Sequence, residues 1–257
     1  SLLSINLSAE IPIGKKSTFL VAARKSWKSP IYKKIFNQYN EVHSTGGFGG
    51  QSQNSSVASF FYDLNAKYTY RPNDKDILSL SLYNGQDNMD NSLKPKTPEG
   101  FGGGFALEIT DKTNWGNTGA SLKWSRQWND RLYSNTLLST SNYFSTRDRG
   151  TDGSVGENNI SNTTNEANNL SDLSLRSDHE WKWDAHQRIE FGGQATHNDI
   201  DYRYDQNDST ILARSSRGNI IALYLQDRIN LAKGRLMLLP GLRSTYYDVT
   251  GQWYQEP

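Results

Sequence analysis

The 257-residue sequence has no cysteine, which excludes disulfide stapling and thiolate metal centres. Nowhere does an apolar run approach the roughly 20 residues of a membrane-spanning helix. An excess of one charge is missing too. With 28 Lys and Arg against 27 Asp and Glu, the net charge is +1, which argues against a strongly electrostatic nucleic-acid surface, and no DNA- or RNA-binding motif appears. Hydrophobic residues make up 35% and the mean hydropathy is −0.76, low for a chain of this length with a large conventional core. The opening Ser1-Leu2-Leu3-Ser4 has neither the basic start nor the cleavage site of a signal peptide. The closing Gln252-Trp253-Tyr254-Gln255-Glu256-Pro257 reads as the start of a loop. The chain is therefore expected to be an interior piece of a longer protein.

What the sequence does have is alternation. From Tyr62 to Arg71 one face reads Tyr62, Leu64, Ala66, Tyr68, Tyr70 and the other Asp63, Asn65, Lys67, Thr69, Arg71. One such strand also suits a soluble, Tyr-rich β-sandwich module. Here, however, short turns and long polar loops follow one another in strict alternation. That asymmetry, with 12% aromatics including 14 Tyr and 7 Trp, suits an antiparallel transmembrane β-barrel with an apolar exterior, aromatic girdles and a wet lumen. Half of every strand then faces water, so low mean hydropathy is no obstacle.

The period-2 pattern predicts about ten strands. Their turns are expected at Gly14-Lys15-Lys16, Pro72 to Asp76, Asn129-Asp130-Arg131, Asp184-Ala185-His186 and Ala232 to Arg235, all at one end of the barrel. Long loops are expected near 28–56, 86–115, 146–167 and 205–216, at the other end. Leu64, Ala66 and Tyr68 should face lipid, because charge at the bilayer midplane costs roughly 2–4 kcal/mol. By the same parity Arg24, Asp63, Lys67, Arg176, Asp178, Glu180 and Arg243 should face the lumen.

Chemical motifs mostly fail. Asp148, Asp152, Gly153 and Glu157 resemble pieces of a calcium loop, but Gly150 stands where a ligand is needed and the closing Glu comes too early. His43, His179, His186 and His197 are the only histidines and never fall at metal-ligand spacing. His179 shares the outward parity of Leu173 and Leu175, which makes it an interface position, and His186 lies in a turn. His197 with Asp199 and Asp201 is the sole hint of a general-base site, the bland reading being a rim histidine among solvated acids. Gly46-Gly47-Phe48-Gly49-Gly50 and Gly102-Gly103-Gly104 lack the following helix and Lys-Ser/Thr of a phosphate loop. No catalytic residue, cofactor or metal is expected.

Three segments resemble TonB-dependent outer-membrane receptors. Tyr224-Leu225-Gln226-Asp227-Arg228-Ile229, followed by Leu238-Leu239-Pro240-Gly241-Leu242-Arg243, is similar to a strand pair common in that family. The Gly14-Lys15-Lys16 turn with Phe19-Leu20-Val21 and Arg24-Lys25-Ser26-Trp27 resembles an early barrel hairpin of its Bacteroidetes branch. Asp63 to Lys67 with Asp76 to Gly85 resembles the hairpin after it. The resemblance implies part of a barrel of about 22 strands around a plug, in the outer membrane of a Gram-negative cell, importing a large nutrient such as a siderophore, haem, cobalamin, a glycan or a peptide. It also implies partners: outer-membrane lipid, the remaining strands, the receptor's own plug, the TonB complex acting through an upstream segment, and in some systems a surface lipoprotein. A plugless porin or adhesion barrel and a barrel hydrolase are the rival readings.

Overall fold

Alternating residues leave one face of each strand apolar, and no helical period competes anywhere. The computed structural model, which describes residues 4–27, 58–93, 105–155, 158–231 and 235–257, is accordingly all-β. Its strands are β1 (Ser4–Ile13), β2 (Ser17–Ser26), β3 (Ala58–Tyr70), β4 (Asp76–Asp90), β5 (Phe105–Gln127), β6 (Leu132–Val155), β7 (Asn158–Lys182), β8 (Gln187–Gln206), β9 (Ser209–Leu231), β10 (Leu236–Leu238), β11 (Gly241–Tyr247) and β12 (Gln252–Glu256). All belong to one antiparallel sheet in sequence order, with β1 and β12 as its edges among the described residues.

β10 and β11 are one strand interrupted by a proline. Leu238 pairs with Ile229 and Gly241 with Gln226, so the register carries straight across Leu239 and Pro240. Pro240 has no N–H to give, yet its carbonyl accepts from the Asp227 amide at 2.9 Å. The ten expected strands are thus β1 to β9 plus this interrupted one. β12 corrects the expectation that 252–257 begins a loop: Trp253 pairs with Tyr246 and Tyr254 with Thr245.

Three expected loops are largely strand. β4 runs to Asp90 and β5 starts at Phe105, with Leu93, beyond β4, bridged to Ile109 of β5, so nearly all of the described part of 86–115 is ladder. β6 and β7, of 24 and 25 residues, absorb nearly all of 146–167. The 205–216 segment contains only a two-residue turn, Asn207–Asp208, with φ of 48° and 60°, the left-handed pair of a type I′ hairpin. The reason is compositional. In 146–167 both faces are rich in Asn, Thr, Asp and Ser, and in the other two segments polar and charged residues occupy both faces among isolated apolar ones, so the strand pattern loses its contrast while the backbone ladder continues. The expected loop at 28–56, and Lys233-Gly234, lie outside the described residues.

The short turns share one construction. The side-chain oxygen of Asn73 accepts from the Lys75 and Asp76 amides (2.8 and 2.9 Å), that of Asn129 from Arg131 and Leu132 (2.9 and 3.0 Å), and that of Asp184 from His186 and Gln187 (2.6 and 2.8 Å). In each case an Asx side chain satisfies the amides the reversing chain would leave open. Gly14, at φ +68°, closes the first turn in the left-handed region. All these turns lie at the same end of the sheet, as expected.

No conventional core exists among the described residues. Ala222 is the one buried hydrophobic residue, while Leu7, Leu173 and Leu242 are 72, 52 and 56% exposed.

Asn129→Ala deletes two acceptors and should destabilise the folded sheet by about 1–2 kcal/mol in urea unfolding, with Asn129→Asp close to wild type. The Asp184 carboxyl is held below the ordinary carboxylate range by hydrogen bonds from the His186 and Gln187 amides. A depressed folded value stabilises above the unfolded pKa of about 4 and is lost as pH falls through the folded one. Asp184→Asn should therefore flatten the acid limb of a stability–pH profile while leaving neutral-pH stability nearly unchanged.

Candidate functional site

Residues paired across an antiparallel ladder point to the same side, so the register sorts every strand residue onto one of two faces. One row reads Ile11, Phe19, Tyr68, Leu80, Leu122, Leu138, Leu175, Ala195, Ile221, Tyr246, Trp253. All eleven are apolar or aromatic. The next row, on the opposite face, reads Glu10, Leu20, Lys67, Ser81, Ser121, Ser139, Ser174, Thr196, Ile220, Tyr247, Gln252. A contiguous apolar face this wide is foreign to a soluble monomer unless a second layer covers it, and the described residues form a single sheet.

The apolar face is a band, not the whole wall. On β8 it runs Ile189, Phe191, Gly193, Ala195 and then turns to His197, Asp199, Asp201, Arg203, Asp205. Near the short turns it ends in indoles: Trp124 and Trp128 meet edge-on at 6.1 Å, Trp181 and Trp183 at 4.8 Å. Such belts mark a membrane interface.

The polar face carries all seven residues singled out from the sequence, in separate groups. Arg24 on β2 ion-pairs with its direct cross-strand partner Asp63 on β3 and lies 5.0 Å from the Phe61 ring centre. Lys67 stands between Leu20 and Ser81 with no ion-pair partner among the described residues. The second group spans β7 to β11. Arg176 Nε donates to Asp178 at 2.8 Å, and Tyr224 Oη on β9 donates to the same carboxylate at 2.7 Å. To reach β7, Tyr224 crosses β8 at Gly192, where an added Cβ would sit 2.8 Å from the tyrosine ring and 2.4 Å from the Ser177 carbonyl oxygen. Arg243 is the register partner of Tyr224 and contacts Thr245 at 3.4 Å. Towards the turns, Glu180 pairs with Arg188 at 3.2 Å and Glu190 with Arg228 at 3.5 Å.

Tyr224, Gly192, Arg188, Glu190 and Arg228 belong to this wall but carry no role in the sequence reading. Their parity marked the face; nothing in one strand tells which neighbour's side chain it meets. The remaining candidates come apart. His197, Asp199 and Asp201 share the apolar-band face; His197 Nδ1 meets Asn219 Oδ1 at 2.8 Å, and Asp199 is taken by Arg217 at 2.9 Å, while Ser171 and Ser215 are the register partners of Asp199 and Asp201 and His197 is engaged by Asn219 rather than by either serine. Asp148 and Asp152 lie within β6 rather than in a cation loop, and the described residues contain no group of three or more His, Asp or Glu able to hold a metal. His179 lies on the apolar face as its parity required, stacked on Phe191 at 4.9 Å and bonded to Ser134 at 2.7 Å.

The fold is shared with solved receptors. The ferric yersiniabactin uptake receptor FyuA from Yersinia pestis superimposes with a TM-score of 0.52 at 9% identity, covering 95% of this chain and 41% of that one. The open form of the ferric-catecholate import receptor Fiu from E. coli K12 does so with a TM-score of 0.51 at 7% identity, covering 98% and 53%. The chain thus spans about half the length of these structures or less. Comparison with curated protein sequences gives no match. Residues 32–254 match the family described as TonB dependent receptor-like, beta-barrel; with most of its length inside that match, the chain belongs to the TonB-dependent receptor β-barrel family, whose members are outer-membrane receptors and transporters.

Proposed function

We propose that this chain is part of the wall of a gated outer-membrane importer, in which the apolar face meets lipid and the polar face holds a plug against the lumen. The observation that carries the reading is the pair of adjacent rows, one apolar or aromatic across eleven strands and the other built on Ser81, Ser121, Ser139, Ser174 and Thr196. Small hydroxyls let another element approach closely and stay hydrated. Charged groups above and below them, Arg24 with Asp63 and Arg176 with Asp178 and Tyr224, supply anchoring points. Arg243, Lys67 and Glu180 complete the set toward the plug.

Each solvated ion pair of this kind is worth about 0–1 kcal/mol. Several together hold a plug and still let it rearrange when a periplasmic partner, the TonB complex, pulls on it. The one Ser–His contact described above, Ser134 with His179, lies on the apolar face, so the work read for the polar face is contact and positioning. The cargo is a large nutrient of the siderophore, haem, cobalamin, glycan or peptide kind, held by plug apices and the parts of the wall beyond the membrane.

Two experiments test this. Full-length protein in planar bilayers should be closed at rest, and removal of the plug should open a large conductance; a stable open pore in the intact protein would overturn the gated reading and favour a porin. Within the wall, Gly192→Ala should displace Tyr224 from Asp178 at a cost of about 1–3 kcal/mol. Tyr224→Phe, which removes the hydroxyl alone, should leave the barrel folded but raise the frequency of brief openings.

A further inference from the structure

One cluster on the apolar face does not suit hydrocarbon. Arg126 shares the parity of Trp124 and Trp128 and projects between them, its guanidinium carbon 4.5 Å from the Trp128 ring centre and 5.9 Å from that of Trp124. Its one acidic contact is Asp76, reached through Nη1 at 3.4 and 3.5 Å, the long limit of hydrogen bonding. The Asp76 carboxylate is already served at shorter range by the Trp124 indole N–H at 2.9 Å and the Asn73 amide at 3.0 Å. Arg126 Nε, in turn, is buried and donates to nothing. Trp128 is itself fixed, donating to Ser134 at 3.0 Å. Lys75 and Arg131 in the adjoining turns are balanced by Asp74 and Asp130, so the local field is not strongly basic.

A guanidinium is thus shelved between two indoles at the edge of the lipid band, weakly answered from within the chain. The buried Nε cannot be reached from outside, but the terminal nitrogens of this partly exposed side chain, held only by the long contacts to Asp76, can take an outside acceptor. Its planar fork fits a phosphate better than a point acceptor, and directly above it the band continues through Leu122, Leu80 and Leu138, a bed for acyl chains.

We propose that Arg126, shelved on Trp128, is a binding site for the phosphate of a phospholipid of the leaflet on the short-turn side, which in outer-membrane barrels is the periplasmic one. The proposal rests on the assignment of the apolar face to lipid. The site selects the phosphodiester rather than the bare chains, and the Trp128 and Trp124 rings hold the guanidinium flat against the barrel so that the headgroup lies at the level of the indole belt.

The test is native mass spectrometry of the full-length receptor, titrated in detergent with dioleoyl phosphatidylglycerol, dioleoyl phosphatidylethanolamine or dioleoylglycerol. Wild type should retain at least one phospholipid that dioleoylglycerol does not replace and that millimolar inorganic phosphate does not displace. Arg126→Gln should weaken that lipid about tenfold, the loss of one charge-assisted contact. Arg126→Lys should recover part of it, and Trp128→Leu should weaken it with the charge kept. Heat-modifiable mobility on gels verifies that each variant is folded; should Arg126→Gln not fold, the lysine and Trp128→Leu variants carry the comparison. Equal retention by wild type and the folded variants, or equal binding of dioleoylglycerol, would overturn the site. Brominated lipids separate the two levels of the argument: the part of the emission lost in Trp128→Leu should be quenchable. If it is quenched but retention is unchanged, the phosphate site fails alone; if it is not quenched, the outward assignment fails with it.

Discussion

A chain in lipid has no water to satisfy its amides, so every backbone N–H and C=O at membrane depth must find a partner within the protein. Between its two edges the sheet meets this demand with one register carried from β1 to β12 without a slip inside the apolar band. The two irregularities lie at its margins: the bulge at Tyr204 and Asp205 stands beyond the acidic end of the band, and Pro240 sits towards the short turns. Continuity of register is what makes the faces meaningful. With a side-chain period of 2, a one-residue slip in any hairpin would carry Lys67 or Arg176 into lipid and Leu64 or Leu175 into water for every strand beyond it. The Asx turns at Asn73, Asn129 and Asp184 are where that slip is prevented.

The same constraint leaves the other face free. Since backbone pairing rather than a hydrophobic core holds the wall together, the polar face can be given over to contact. Its side-chain bridges cross strands, as when Tyr224 passes over Gly192 to reach Asp178 two strands away. The glycine is required because any side chain there would occupy the space of the tyrosine ring. Such a bridge ties three strands on the wet side of the wall without drawing on the apolar side.

Much of this was legible because alternation in a membrane strand is steep: Asp63, Asn65 and Lys67 against Leu64, Ala66 and Tyr68 fix a face with no further information. The short turns were legible from Asn, Asp and Gly at the reversals. Legibility failed where the environment stops being two-sided. In 146–167 Thr, Asn and Asp take both sides, in 205–216 Ile211 and Leu212 fall on opposite sides, and a strand held only by its neighbours looks like a loop. β12 escaped for a related reason, since five residues around Trp253 are too few to show a period before Pro257. A single strand assigns Arg24, Asp63 or Arg176 to a face but not to a partner: Arg24 with Asp63 and Tyr224 with Asp178 depend on which residues neighbouring strands bring near, a property of register between strands rather than of any one of them.

The length of the strands bears on how such a wall can be gated. A membrane needs about 9–11 residues of each strand, whereas β5 to β9 have 20 to 25. At about 3.3 Å per residue the longest reach roughly 80 Å, still hydrogen-bonded to their neighbours well above the lipid band. Bending a wall so continuously laddered would break backbone pairs in several strands at once. A switch in such a structure is better placed in an element held by side chains, whose contacts are weak one by one. The Arg24–Asp63 and Arg176–Asp178–Tyr224 groups are side-chain contacts of that strength on the polar face, and a stiff sheet leaves motion to elements held by contacts of this kind.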